Sequence, residues 1–279
     1  MCGISGFFHF LKDIPAEADV IKRMTDVISH RGPDGDGFYV KQNIALGHRR
    51  LAIIDLSTGH QPMYSDDKKI VLVFNGEIYN YVELREELQT NGYAFKSRTD
   101  TEIITAAYDY WGDECVDYFD GMFAFAIWDD KEKEFFAARD RFGEKPFFYY
   151  YNGSQLIFAS EMKALWAAGV EKIPNQKMLF NFITIGYTDN PEQPGETFFE
   201  NIHKLPPATS LKYNLNSREL LVEKYWTINP ETENKKITDN EALAQFNHLL
   251  RSSVKRRLRS DVSIGSSLSG GLDSSSIVA

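Results

Sequence analysis

The sequence predicts a mixed α and β protein in which strands dominate and short capped helices lie between them. Three observations carry this. Short β-type runs cluster over 122–159, where 122–128 reads MFAFAIW and 147–151 reads FFYYY. Capping patterns open helices near Asn80, Thr99 and Thr238. The composition is that of a globular chain, with 43% hydrophobic and 25% charged residues, and the 20 Phe and 14 Tyr supply a sizeable core.

The elements follow in order. Residues 2–10 (CGISGFFHF) predict a first strand. Val20, Ile21, Met24, Val27 and Ile28 share one stripe and predict a helix over 17–29. Gly and Pro make 30–37 a loop, and strands are expected at 38–42, 44–48 and 50–55. The wholly apolar run 70–74 (IVLVF) reads as a strand buried on both faces, ended by a turn at Asn75-Gly76. Helices are predicted from Asn80 through Leu88 and from Thr99-Asp100-Thr101-Glu102, a capping-box pattern. Strands at 134–139, 147–151 and 155–159 precede short helices at 161–168 and 176–183. Pro, Gly and acids make 186–208 a long surface excursion, and strands are expected at 209–214 and 219–226. A polar linker at 229–238 leads to a helix with Leu243, Phe246, Leu250, Val254 and Leu258 at helical spacing. Val262 and Ile264 suggest one more short strand before the run Ser269–Ser275, where another helix starts. This divides the chain into 1–215, a final strand and linker at 216–237, and a second segment at 238–279.

Composition also narrows function. A net charge of −9 argues against a general nucleic-acid or anionic-membrane binder. No apolar run approaches the ~20 residues of a membrane span. The two cysteines, Cys2 and Cys115, form no disulfide framework, so a reducing, cytoplasmic setting is expected. Cys115 precedes Phe119 in a predicted helix and reads as a core thiol. The histidines, His30 and His48 among them, show no metal-ligand spacing, and no metal is expected in the N-terminal part.

Cys2 carries the first chemical signal. A side chain this small permits removal of Met1, which leaves a thiol and a free α-amine on one residue. The amine titrates near ~7.7–8.0, so it can accept the thiol's proton directly or through water. The plainer reading is a small buried residue opening a strand. The company of Cys2 favours chemistry. Cys2-Gly3-Ile4-Ser5-Gly6, His30-Arg31-Gly32-Pro33-Asp34, His48–Asp55 (HRRLAIID), Asn75–Asn80 (NGEIYN), Arg98–Glu102 (RTDTE), Gly121–Ala126 (GMFAFA) and Arg139–Gly143 (RDRFG) occur in this order. Together they resemble the class II glutamine amidotransferases, in particular the glutaminase domain of glutamine-hydrolysing asparagine synthetases. The resemblance covers about 2–215 and resumes at 238–279.

It implies an α+β N-terminal-nucleophile fold, an αββα sandwich of two antiparallel sheets between helical layers. The implied reaction is attack of the Cys2 thiolate on the side-chain amide of glutamine, loss of ammonia, and hydrolysis of a γ-glutamyl thioester. Asn75 and Gly76 would form the oxyanion hole. Arg50 would grip the substrate α-carboxylate and Asp100 its α-ammonium, with Glu77 a further contact. Arg49 and Arg50 are adjacent, so in a strand only one faces the pocket.

The second signal is Ser269-Gly270-Gly271-Leu272-Asp273-Ser274. A Gly/Ser loop before a helix offers N–H groups and hydroxyls to an anion, and it lacks the Gly-Lys-Ser/Thr of a Walker A loop. It resembles the pyrophosphate loop of the ATP pyrophosphatases. That likeness implies ATP held at Ser269, Gly270, Gly271, Asp273 and Ser274, Mg²⁺ placed by Asp273, and aspartate as acceptor in the full-length enzyme. The glutaminase part needs no cofactor. The basic run Lys255, Arg256, Arg257 and Arg259 reads as a solvated helix face, or as a source of positive potential for ATP. An amidotransferase acting on another carboxylate, or a non-catalytic glutamine-binding module with Met1 retained, are the rivals. A homodimer is compatible with all of them.

Overall fold

Alternation within the central strands explains the layers of the molecule. The computed structural model describes residues 1–10, 18–233 and 236–279. Residue 17 of the expected first helix and residues 234–235 of the expected linker lie outside them. The strands are β1 (Gly3–His9), β2 (Gly35–Lys41), β3 (Ile44–Arg50), β4 (Met63–Tyr64), β5 (Ile70–Ile78), β6 (Gly121–Asp129), β7 (Glu134–Arg139), β8 (Phe148–Tyr151), β9 (Gln155–Ala159), β10 (Ile202–Lys204), β11 (Thr209–Asn214) and β12 (Leu220–Lys224). The helices are α1 (Ala18–Asp26), α2 (Tyr81–Thr90), α3 (Asp100–Trp111), α4 (Cys115–Tyr118), α5 (Met162–Ala167), α6 (Gln176–Ile185), α7 (Asp239–Arg257) and α8 (Leu272–Val278).

Two six-stranded sheets result, ordered β10-β8-β9-β1-β3-β2 and β12-β11-β7-β6-β5-β4. Their neighbouring strands are antiparallel. In β5, Val71 and Val73 pack between the sheets, while Ile70, Leu72 and Phe74 pack under α2–α4. In β6, Ala124, Ala126 and Trp128 face the first core and Phe123, Phe125 and Ile127 the second. A third core joins α1 and α5 to the outer face of the first sheet through Ile21, Met24, Phe7, Ile157 and Leu165. The order is helices, sheet, sheet, helices, an αββα sandwich. Cys115 lies fully buried in the core under the second sheet.

Several sequence expectations change. Residues 51–55 form no strand, because the carbonyls of Asp55 and Leu56 turn inward to Arg50 and Asp55 adopts φ 51°, outside the β region. Asn75-Gly76 does not end β5. The strand runs on to Ile78 in register with β6, and glycine permits this because a Cβ at position 76 would lie 2.2 Å from Met122 O. Asn80 does not cap α2 with its side chain but bridges Tyr118 O and Asp120 N. Thr99 caps α3 alone, since Glu102 reaches Lys96 N and Ser97 N instead. The excursion 186–208 contains β10, paired with β8. At Thr238 both halves of the capping box are present.

The end of the chain differs most. Residues 262–271 form no strand among the described residues, and Val262, Ile264 and Leu268 are exposed. A buried parallel strand needs neighbours in a sheet, and here it has none. The basic run is a solvated face only in part, at the exposed Lys255 and Arg257. Arg256 pairs with Asp120 (2.9 Å), Arg259 pairs with Glu83 (2.6 Å) and donates to Tyr79 O, and Arg257 lies over the Tyr79 ring. The segment from Arg256 to Asp261 is thereby fastened to the N-terminal sandwich.

Candidate active site

One cavity collects the residues expected at the N-terminal site. Cys2, Arg50, Asn75, Gly76, Glu77 and Asp100 all line it. Cys2 stands just ahead of β1, at the end of the first sheet. Asn75 continues the Val71, Val73 series of β5, so its side chain points between the sheets, toward the one that carries Cys2.

The backbone of β5 faces the cavity for a reason that can be traced. Gly76 sits opposite Phe123 in the ladder. Phe123 uses both its backbone groups on Asp140, donating to Oδ2 (3.1 Å) and accepting from N (2.8 Å). A facing pair exchanges both bonds or neither, so Gly76 N–H points away from β6. Its neighbours two residues away agree. Phe74 N–H donates to Gln61 Oε1 (2.6 Å) and Ile78 N–H to Asp100 Oδ2 (2.9 Å). Gly76 N–H, between them, is directed at the cavity. Beside it Asn75 is 1% exposed, and its Nδ2 makes no hydrogen bond among the described residues. Two donors are thus free near the thiol, where an oxygen bearing charge would be stabilised.

Cys2 Sγ accepts from Leu51 N (3.3 Å) and lies 3.5 Å from Leu51 O. Burial pushes the thiol above its ordinary pKa, while the Leu51 N–H, the adjacent α-ammonium and Arg50 pull the other way. Burial holds the terminal ammonium below its usual value. Here that amine belongs to Met1, whose Sδ accepts from Lys145 Nζ (3.3 Å) at the cavity wall.

The charged groups are placed with opposite sense. Arg50, the last residue of β3, is buried and donates to Asp55 O (2.5 Å) and Leu56 O (3.1 Å). Arg49 turns to α1 and pairs with Asp26 and Thr25 O. Asp100 opens α3 and accepts from Ile78 N and Thr99 Oγ1. Burial dominates these bonds and raises its carboxyl to about 6. Burial, then the Asp100 charge, raises Glu77 as well, and Lys145 opposes the rise. His48 is buried, gives its Nε2 proton to Phe74 O (3.1 Å), and is held neutral by burial with a pKa of about 3.

Sequence reasoning missed three residues of this site. Gln61 holds Phe74 N–H in place. Gly59 leaves room for the Arg50 guanidinium, because a Cβ there would lie 2.5 Å from Nη2. Lys145 is buried and lines the wall near Glu77. Each is an isolated polar or small residue whose only signal is its position in three dimensions.

The C-terminal loop is not part of this cavity. Ser269 Oγ and Ser274 Oγ lie 3.1 Å apart, Ser274 donates to Gly271 O, and Gly270 takes φ 79°. Ser269, Gly270, Gly271 and Asp273 are exposed. Asp273 has no carboxylate company for a cation, and no group of three or more His, Cys, Asp or Glu among the described residues could hold a metal. No described helix is long and apolar enough to cross a membrane.

Comparison with known proteins agrees with the geometry. Residues 1–226 match the glutamine amidotransferase domain, and residues 245–279 match the start of the asparagine synthase domain. The chain is 39% identical to asparagine synthetase [glutamine-hydrolyzing] 3 of Bacillus subtilis, covering all of this chain and 45% of that protein. It is 40% identical to a putative asparagine synthetase [glutamine-hydrolyzing] 2 of Methanocaldococcus jannaschii, covering all of this chain and 56% of that one. The chain thus spans about half the length of these relatives. The fold is shared with the glutamine phosphoribosylpyrophosphate amidotransferase of B. subtilis at a TM-score of 0.58, 19% identity, 81% of this chain and 50% of that one. This chain, with a thiol, two free donors and opposed charges in one cavity at the mouth of its two sheets, belongs to the glutamine amidotransferase domain family.

Proposed function

We propose that the N-terminal sandwich hydrolyses glutamine at Cys2. The observation that carries this is the pair of unpartnered donors, Asn75 Nδ2 and Gly76 N–H, directed at the cavity that holds the thiol. With Met1 removed, the α-amine of residue 2 takes the thiol proton as Sγ bonds to the side-chain carbonyl carbon of glutamine. The carbonyl oxygen, now negative, sits between the two donors. The amine returns the proton to the leaving nitrogen, ammonia departs, and water cleaves the thioester to glutamate. Arg50 holds the α-carboxylate, Asp100 the α-ammonium, and Glu77 adds a contact beside Asp100.

The sandwich takes 1–215, with 216–237 as final strand and linker and 238–279 as the start of a synthase domain. In a protein of the relatives' length, the ammonia would amidate aspartate activated by ATP, with Mg²⁺ held by more residues than Asp273. Ser269, Gly270, Gly271 and Ser274 would face the pyrophosphate. A cytoplasmic setting suits the free thiols. Retained Met1 favours the rival reading, a glutamine-binding module without catalysis, because the amine then belongs to residue 1.

The test is equimolar release of glutamate and ammonia from glutamine, followed across pH. Asp100 is neutral below its pKa of about 6 and cannot pair with an ammonium there. kcat/KM should therefore rise between pH 5 and 7, and this step should disappear in Asp100→Asn, since kcat/KM reports the free enzyme. A wild-type profile flat through pH 6 would remove Asp100 from substrate binding. Calorimetry of this 279-residue chain with MgATP is expected to show weak binding or none, because the phosphate loop is open to solvent and, among the described residues, has no sheet behind it. Tight stoichiometric binding would overturn that.

A further inference from the structure

Asp261 ties the loop that holds Arg50 to the C-terminal segment. Asp261 N–H donates to Ile53 O (3.0 Å), and Asp55 N–H donates to Asp261 Oδ2 (2.8 Å). The carbonyl of the same Asp55 accepts from Arg50 Nη2 (2.5 Å). One side of Asp55 is therefore held by Asp261, and the other side holds Arg50. The Asp55 carboxylate fixes the remaining direction, accepting from Thr58 N (2.9 Å) and from Arg98 N (2.7 Å), two residues before Asp100. Asp55 adopts φ 51°, a left-handed conformation that Asp tolerates better than most residues and that these bonds hold in place.

Asp261 is a firm post for this loop. Arg256 and Arg259, just before it, are anchored on Asp120, Glu83 and Tyr79 O, none of which belongs to Arg50's loop. Asp261 is thus held from two sides, by the anchored Arg256 and Arg259 just before it and by its own N–H on Ile53 O.

We propose that Asp261 is a positioning residue for glutamine: it holds the 51–58 loop in the shape that aims Arg50 at the substrate α-carboxylate. The glutaminase site then senses where the first residues of the synthase segment lie. The inference rests on the reading of Arg50 as the carboxylate grip.

A double-mutant cycle in glutamine hydrolysis tests it. Asp261→Ala should raise KM for glutamine about fivefold to tenfold with kcat within about twofold, the effect of losing one positioning hydrogen bond. Asp261→Asn keeps an oxygen for Asp55 N–H and should restore KM, which also guards against a variant that merely folds poorly. In an Arg50→Ala background, Asp261→Ala should add nothing, because its effect runs through Arg50. Independent, multiplying effects of the two changes would overturn the proposal, as would an unchanged KM in Asp261→Ala. If Arg50→Ala alone leaves kcat/KM for glutamine unchanged, the reading of Arg50 fails first, and the Asp261 proposal falls with it.

Discussion

Cys2→Ala is expected to reduce ammonia release from glutamine to the uncatalysed level, and Cys2→Ser to do nearly the same. Removing other covalent nucleophiles costs on the order of 10⁶ in kcat, and no second thiol can substitute, since Cys115 is buried in a core remote from the cavity. The fold should survive, because Cys2 contributes only weak sulfur bonds to Leu51. Burial keeps the thiol mostly protonated at neutral pH. The reaction therefore depends on a base beside the sulfur, and the free amine of residue 2 is the group in reach. Intact mass should show Met1 absent from active preparations, and a chain retaining Met1 should be inactive with Cys2 unchanged. Wild-type activity in Cys2→Ala would sink the nucleophile assignment, and full activity with Met1 retained would sink the role of the amine.

Much of the sandwich was legible because its signals are local. The apolar run of β5 read correctly as a strand buried on both faces and that of β6 as a strand, and in both alternate residues feed two different cores. What was not legible depends on approach between distant segments. Asn75-Gly76 has the composition of a turn, yet it continues a strand because it stays paired with β6, whose close approach leaves room only for glycine at 76. Leu51–Asp55 has the composition of a strand, yet it is a loop because Arg50 draws the Asp55 and Leu56 carbonyls inward. Propensity loses to tertiary contacts in both cases. The positions of the candidate site were found through ordered motifs rather than periodicity. Their supports, Gln61, Gly59 and Lys145, carry no motif at all. The ion pairs of Arg256 and Arg259 were not legible for the same reason, because their acidic partners Asp120 and Glu83 lie far away in sequence.

Asn75→Ala should lower kcat by about 10²–10³-fold, the measured scale for removing one oxyanion donor, with KM changed no more than about threefold. The argument rests on when its hydrogen bond forms. Asn75 Nδ2 is buried and unpartnered in the free protein. A buried donor left unpaired costs about 1–3 kcal/mol, so the fold bears this group without benefit from it. Its bond is made when negative charge develops on the substrate oxygen, which stabilises the transition state more than bound glutamine. The same reasoning gives a second sign that separates catalysis from packing. Removing an unsatisfied amide should leave the melting temperature unchanged or raise it, whereas truncating a residue that packs the core lowers it. Steady-state kinetics and thermal melting of Asn75→Ala therefore discriminate together. A lowered kcat with an unlowered melting temperature identifies a donor reserved for the oxyanion. A parallel fall in both, or a rise in KM with kcat intact, would assign Asn75 to the core or to ground-state binding instead.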